Sequence, residues 1–195
     1  MAELAAAWAR LAHTPVGERR LAIVLSDYPA RGGRAGYAVG LDAPASVAAI
    51  LEDLAADGYA ATVPDAAELM RALTDGPADA VLSLEDYCTY LSAWPDGTVA
   101  RIHAAWGPAE SDPAYDDGAF RFRVVQAGNA VVVLQPDRGL HADRKSKYHD
   151  PDLPPRHGYV AFYAWLRSRR IDALIHLGTH VRLLDPCRDA DYLGR

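Results

Sequence analysis

The chain has 195 residues, a formal net charge of −6 and a hydrophobic fraction of 50%. Those values suit one globular unit with a sizeable core, and argue against disorder, a fibrous repeat or non-specific nucleic-acid binding as the main task. No run of about 18 apolar residues predicts a membrane span, Met1-Ala2-Glu3-Leu4 is no basic leader, and the isolated Cys88 and Cys187 form no CxxC, so a reducing cytoplasm is the expected setting.

Leu4, Trp8 and Leu11 recur at helical spacing, which predicts a helix over 2–13 that Thr14-Pro15 and Gly17 break. Residues 21–25 form a continuous apolar run suited to a buried parallel strand. A loop with Gly32, Gly33, Gly36 and Gly40 follows. Asp42 then reads as an N-cap with Pro44 in the first turn. Val47, Ile50, Leu51 and Leu54 mark one helical face, and Gly58 stops it. Two further helices are expected over 64–76 and 83–94, separated by Gly76-Pro77, with Pro95-Asp96-Gly97 ending the second. Residues 107–118 read as an acidic loop. Phe120, Phe122 and Val124 alternate with Arg121 and Arg123, and Gly128-Asn129 leads into 131–134, which predicts a hairpin. Residues 158–170 read as a helix, apolar as far as Leu166, and 171–177 as a buried strand. The fold class is therefore α/β, with strands and helices alternating around a mostly parallel sheet plus a β-hairpin.

Three constellations could carry chemistry. The glycine-rich loop after the first strand matches neither GxGxxG nor GxxxxGK[ST], so backbone freedom explains it better than phosphate binding. His176-Leu177-Gly178-Thr179-His180 ends an apolar run, where ligands of open α/β sheets bind. The two imidazoles could share a metal. They could equally be one core histidine followed by an exposed one. Leu177 replaces the glutamate of HExxH and Gly178 opposes a continuing helix, which disfavours a zinc hydrolase. The stretch Tyr148-His149-Asp150-Pro151-Asp152-Leu153-Pro154-Pro155-Arg156-His157 is proline-rich, and with Arg138, Arg144, Lys145 and Lys147 it is basic within an acidic chain. It suits an anionic ligand, a divalent metal or proton transfer near neutral pH, and the alternative is a solvated surface loop.

Several segments together resemble one family. Leu21 to Pro29 and Val39 to Ser46 look like the large subunit of aerobic cobaltochelatase, as do Trp106-Gly107-Pro108, Gln135-Pro136-Asp137-Arg138-Gly139, Tyr148 to His157 and His176 to His180. The related large subunit of magnesium chelatase shares the last of these in looser form. The family-like region is expected over 16–180, with a divergent tail over 181–195. The resemblance implies a partial piece of a larger multidomain chelatase subunit, cut by a reading-frame shift or truncation after His180. It implies insertion of Co(II), the substrate metal, into hydrogenobyrinic acid a,c-diamide. ATP would be used by the partner subunits CobS and CobT, in keeping with the missing Walker A sequence. It makes His176 and His180 the first candidates for metal ligation and catalysis, and His149 and His157 the next. Tyr148, Arg138 and Arg156 are the candidates for substrate binding. A catalytically inactive remnant that at most binds tetrapyrrole or metal is the competing expectation.

Overall fold

The computed structural model describes residues 2–26, 41–139 and 153–178 of the chain. Leu21–Leu25 (β1) is inaccessible along its whole length. A strand apolar on both faces needs cover on both, and this sets the layering. β1 pairs in parallel with Ala130–Leu134 (β6) on one side and Ala173–Leu177 (β7) on the other. Val124–Ala127 (β5) is the antiparallel partner of β6, giving the order β5-β6-β1-β7.

The pleat of β1 divides its side chains between two cores. Leu21, Ile23 and Leu25 meet Val47 and Leu51 of Ala43–Ala56 (α2), and Leu69 and Leu73 of Ala66–Asp75 (α3). The start of α2 is set by Asp42, whose side chain accepts from Ala45 N at 3.1 Å, with proline in the first turn. Gly58, at φ +87°, follows its end. Asp65 caps α3 through Ala67 N and Glu68 N. Ala22 and Val24 face the other way and meet His157–Ser168 (α6), the helix that links β6 to β7.

Residues 157–166 of α6 are all buried. A helix apolar on every side has to be the middle layer of something, and a second sheet supplies the other cover. That sheet is antiparallel, built from Ala80–Ser83 (β2), Tyr115–Asp116 (β3) and Ala119–Phe122 (β4) in the order β2-β4-β3. Phe122 packs edge-on against Phe162 with ring centroids 5.6 Å apart. Leu84–Leu91 (α4) and Asp96–Trp106 (α5) complete this core with Tyr87 and Ile102. Ala2–His13 (α1) lies ahead of β1 as the spacing predicts.

Three features differ from the sequence expectation. Residues 120–134 are not one hairpin: β4 belongs to the second sheet, and the hairpin is β5–β6 around Gly128-Asn129. The alternation of Phe120, Phe122 and Val124 runs unbroken through the change of sheet. The break is at Arg123, whose Nε donates to Gly76 O at 2.7 Å. β2 is a strand the sequence reading does not contain: residues 80–82 fall between the two expected helices, and the strand runs directly into the Ser83 cap of α4. Pro95-Asp96-Gly97 is a start as well as a stop, with Pro95 at the N-cap position of α5 and Asp96 in its first turn. The glycine-rich loop over 32–40 lies outside the described residues.

Candidate functional site

β1 lies between β6 and β7, and the connections beside it take opposite faces. The helices directly after β1, α2 and α3, cover the face of Leu21, Ile23 and Leu25, while α6 covers the face of Ala22 and Val24. Such an arrangement opens a crevice at the carboxyl ends of the two strands whose following connections diverge, here the neighbours β1 and β6, with the end of β7 on the other side of β1. The residues at that edge are Gln135 after β6, Ser26 after β1, and His176, Leu177 and Gly178 at the end of β7. The edge is tied together by Gln135 N donating to Leu25 O at 2.9 Å and Ser26 N donating to Leu177 O at 2.8 Å.

His176 pairs with Val24 in the parallel register and so lies on the α6 side of the sheet. Both of its ring nitrogens are buried without a hydrogen-bond partner among the described residues. Burial pushes its pKa down to about 4, so the ring is neutral at pH 7. Buried polar atoms are normally satisfied, so orphaned nitrogens at a ligand-binding edge are a positive sign of a site. Ser26 Oγ beside it is orphaned among the same residues. A Cβ added at Gly178 would lie 2.0 Å from Ser26 Oγ and 3.9 Å from His176 Nδ1, so serine and histidine flank the same glycine. On the β6 side, Gln135 Nε2 donates to the hydroxyls of Tyr159 at 2.8 Å and Tyr163 at 2.6 Å. Burial, first of all, raises the Tyr163 pKa far above its usual value, so this phenol stays protonated.

His157 is placed differently. It is fully buried at the first turn of α6. Its Nε2 donates to Gly107 O at 3.0 Å, and its Nδ1 accepts from the Tyr87 hydroxyl at 2.7 Å. Burial lowers its pKa, which favours the neutral ring with the proton on Nε2. Both nitrogens are engaged, so ligation or proton transfer would need one bond released. Arg156 is likewise turned inward, with its guanidinium on the buried Asp112 and its Nε donating to Asp137 O at 2.8 Å. Arg138 stands four residues beyond β6, half-buried, with Nη2 on Leu153 O at 2.6 Å. His180, His149 and Tyr148 lie outside the described residues. Among the described residues no three His, Cys, Asp or Glu side chains converge as a metal cluster, and no helix is long and apolar enough to cross a membrane. Sequence reasoning missed Ser26 and the tyrosine pair. The near-contact of Ser26 with Gly178 joins positions some 150 apart in the chain, beyond the reach of local pattern.

The fold is that of a mixed α/β protein, with a candidate site at the carboxyl ends of its parallel strands. A family profile described as CobN/Magnesium Chelatase matches residues 1–183, and the chain belongs to that family. It is 41% identical over 194 residues to the aerobic cobaltochelatase subunit CobN of Sinorhizobium sp, covering 93% of this chain and 15% of that protein. It is 41% identical to the Pseudomonas aeruginosa protein of the same name, covering 94% and 16%. Identity to the corresponding magnesium-chelatase subunit of Chlorobaculum parvum is 31%, covering 92% and 15%. The catalytic subunit of cobaltochelatase from Mycobacterium tuberculosis superposes with a TM-score of 0.73 at 31% identity, covering 91% of this chain and 16% of that one. The chain thus spans about a sixth of the length of these relatives.

Proposed function

We propose that this chain forms part of the large, tetrapyrrole- and metal-binding subunit of an ATP-dependent cobaltochelatase, which inserts Co(II) into hydrogenobyrinic acid a,c-diamide. The observation that carries the reading is His176: a neutral imidazole at the strand-end crevice of a CobN-family chain, its buried nitrogens without partners among the described residues. Metal insertion needs a transient ligand for the incoming ion and an acceptor for two pyrrole protons. A neutral imidazole can serve as either, and it need lose no proton before it binds metal. His180, two residues beyond Gly178, is the proposed second ligand, and His149 belongs to the basic loop proposed to receive the substrate. Arg138 and Tyr148 are proposed to hold the carboxylates and amides of the macrocycle rim, where a planar guanidinium is a strong partner. Arg156 and His157 are proposed to act at one remove, by fixing the far end of that loop. ATP is hydrolysed by the partner subunits CobS and CobT in this reading. Cobalt is preferred to magnesium because identity is higher to the cobalt relatives, 41% against 31%.

The test is cobalt insertion in the assembled enzyme, with ATP and the partner subunits, comparing His176→Ala with the unaltered chain. The expected result is a loss of at least about a hundredfold, the scale of a positioned acid–base or ligand group. An unchanged rate would remove His176 from the mechanism. The second reading is a remnant that binds tetrapyrrole but inserts no metal. Saturable absorbance changes with a corrinoid, without insertion under any condition, would select it.

A further inference from the structure

At Gly178 the ends of β1 and β7 come close together. Any side chain at 178 would occupy the volume that Ser26 now fills, since even a Cβ would stand 2.0 Å from Ser26 Oγ and 2.6 Å from its Cβ. Gly178 therefore leaves room for the Ser26 side chain, and His176 Nδ1 lies 3.9 Å from the same Cβ position. Nothing among the described residues rewards that approach. Ser26 Oγ and both nitrogens of His176 are shut away from water and make no hydrogen bond there. Polar groups buried in this way are expensive, and these three atoms around one glycine are ones that a single polar or metal ligand would satisfy together.

We infer that Ser26 is a second member of the His176 site: the imidazole takes a hydrated first-row divalent metal ion, and the Ser26 hydroxyl accepts a hydrogen bond from a water on that ion. The inference rests on the reading that His176 receives the substrate metal, and extends it. The chemistry of the two groups divides the work. An imidazole nitrogen is a good ligand for Co(II) or Zn(II) and a poor one for Mg(II), whereas a neutral hydroxyl is better suited to holding coordinated water. Ser26 would then be a positioning residue. It orients the ion's hydration shell, and Gly178 leaves the room that Ser26, from its Cβ outward, takes up. Ser26 and Gly178 should consequently act as one unit, with effects that do not add.

The experiment is a Co(II) titration of the full 195-residue chain, read by visible absorbance, with Mg(II) as the comparison ion. The variants are Ser26→Ala, Ser26→Thr, Gly178→Ala, the Ser26→Ala/Gly178→Ala pair and His176→Ala, each checked for fold by circular dichroism. We expect saturable Co(II) binding that is lost in His176→Ala and weakened about tenfold in Ser26→Ala, the scale of partners that orient a metal's ligands. Ser26→Thr, which keeps the hydroxyl, should restore affinity and spectrum. The double variant should bind no worse than Gly178→Ala alone. Co(II) binding that needs His176 but is the same in Ser26→Ala would overturn the role of Ser26 and leave His176 standing. No His176-dependent Co(II) binding by the unaltered chain would overturn the metal reading itself, and Ser26 with it. If Gly178→Ala does not fold, the alanine and threonine pair at position 26 decides the matter alone.

Discussion

Asp112 shows how a residue remote in sequence fixes the start of α6. Its carboxylate takes the Arg156 guanidinium, Ala114 N at 2.9 Å and Gly158 N at 2.8 Å, and its side chain is only 3% exposed. It thereby supplies an anion to the N-terminus of α6, where the helix dipole favours one, although it comes from a different segment. Gly158 must be glycine here, since a Cβ would stand 2.6 Å from Asp112 Oδ1. Replacing Asp112 with alanine would strand the Arg156 charge in a buried site. The expected loss is about 3–5 kcal/mol, measured as a shift of the urea midpoint, whereas Asp116→Ala should change little because its ion pair is 79% exposed on the acid side. This arrangement explains why Arg156 and His157, which the sequence groups with an anion- or metal-binding loop, point inward. The sequence shows a cation next to an imidazole. It cannot show that Asp112 and Tyr87, 44 and 70 positions earlier, will meet them.

Elements in this chain are held by a few backbone positions that admit no side chain. Gly128, in the β5–β6 turn, has φ +67°, and a Cβ there would lie 2.2 Å from Ala60 O. The turn also seats Asn129, whose N donates to Ala60 O and whose side chain reaches Gly17 O at 2.8 Å. Gly128→Ala should therefore destabilise the chain by more than the roughly 1 kcal/mol that unfolded-state entropy could return, because strain and a backbone clash add. A thermal melt beside Gly97→Ala, which meets nothing within 4 Å, checks this. Local signals of this kind are legible in the sequence. Asp42 with Pro44, the turn at Gly128-Asn129 and the apolar run of β1 each carry their own cause within a few residues. What is not legible depends on remote partners. The change of sheet at Arg123 leaves the period-two pattern untouched, and β2 is a strand only because β4 arrives beside it. The same holds at the strand-end crevice. The sequence places His176 at the end of a strand, but its orphaned nitrogens and the neighbouring Ser26 follow from the pairing of β1 with β7.

At the scale of the whole molecule, burial holds two histidines neutral, His157 at the start of α6 and His176 at the β1–β7 edge. Folding lowers the pKa of His176 to about 4 and that of His157 in the same direction, burial being the main cause for both. An unfolded histidine titrates near about pH 6.5. Between about pH 6.5 and pH 4, therefore, the unfolded chain binds protons that the folded chain refuses. Stability rises with pH wherever the unfolded state holds more protons, so it is fully present above about pH 6.5 and is lost as the pH falls towards 4. Each such proton contributes a slope of up to about 1.4 kcal/mol per pH unit. Carboxylates also titrate near the acid end of that window, so the slope of the unaltered chain alone does not identify its source. His176→Leu fills the same position without a titrating group. Urea midpoints measured at about pH 7.5, 6.5, 5.5 and 5.0 should fall less steeply for that variant than for the parent, because it lacks the proton uptake that linkage assigns to His176. Parallel curves would mean that His176 is protonated as readily in the folded chain as in the unfolded one. The neutral ring on which the proposed metal contact depends would then be lost at mildly acidic pH. The two properties are linked: the burial that makes His176 a liability for folding in acid is what keeps its lone pair ready for a cation at neutral pH.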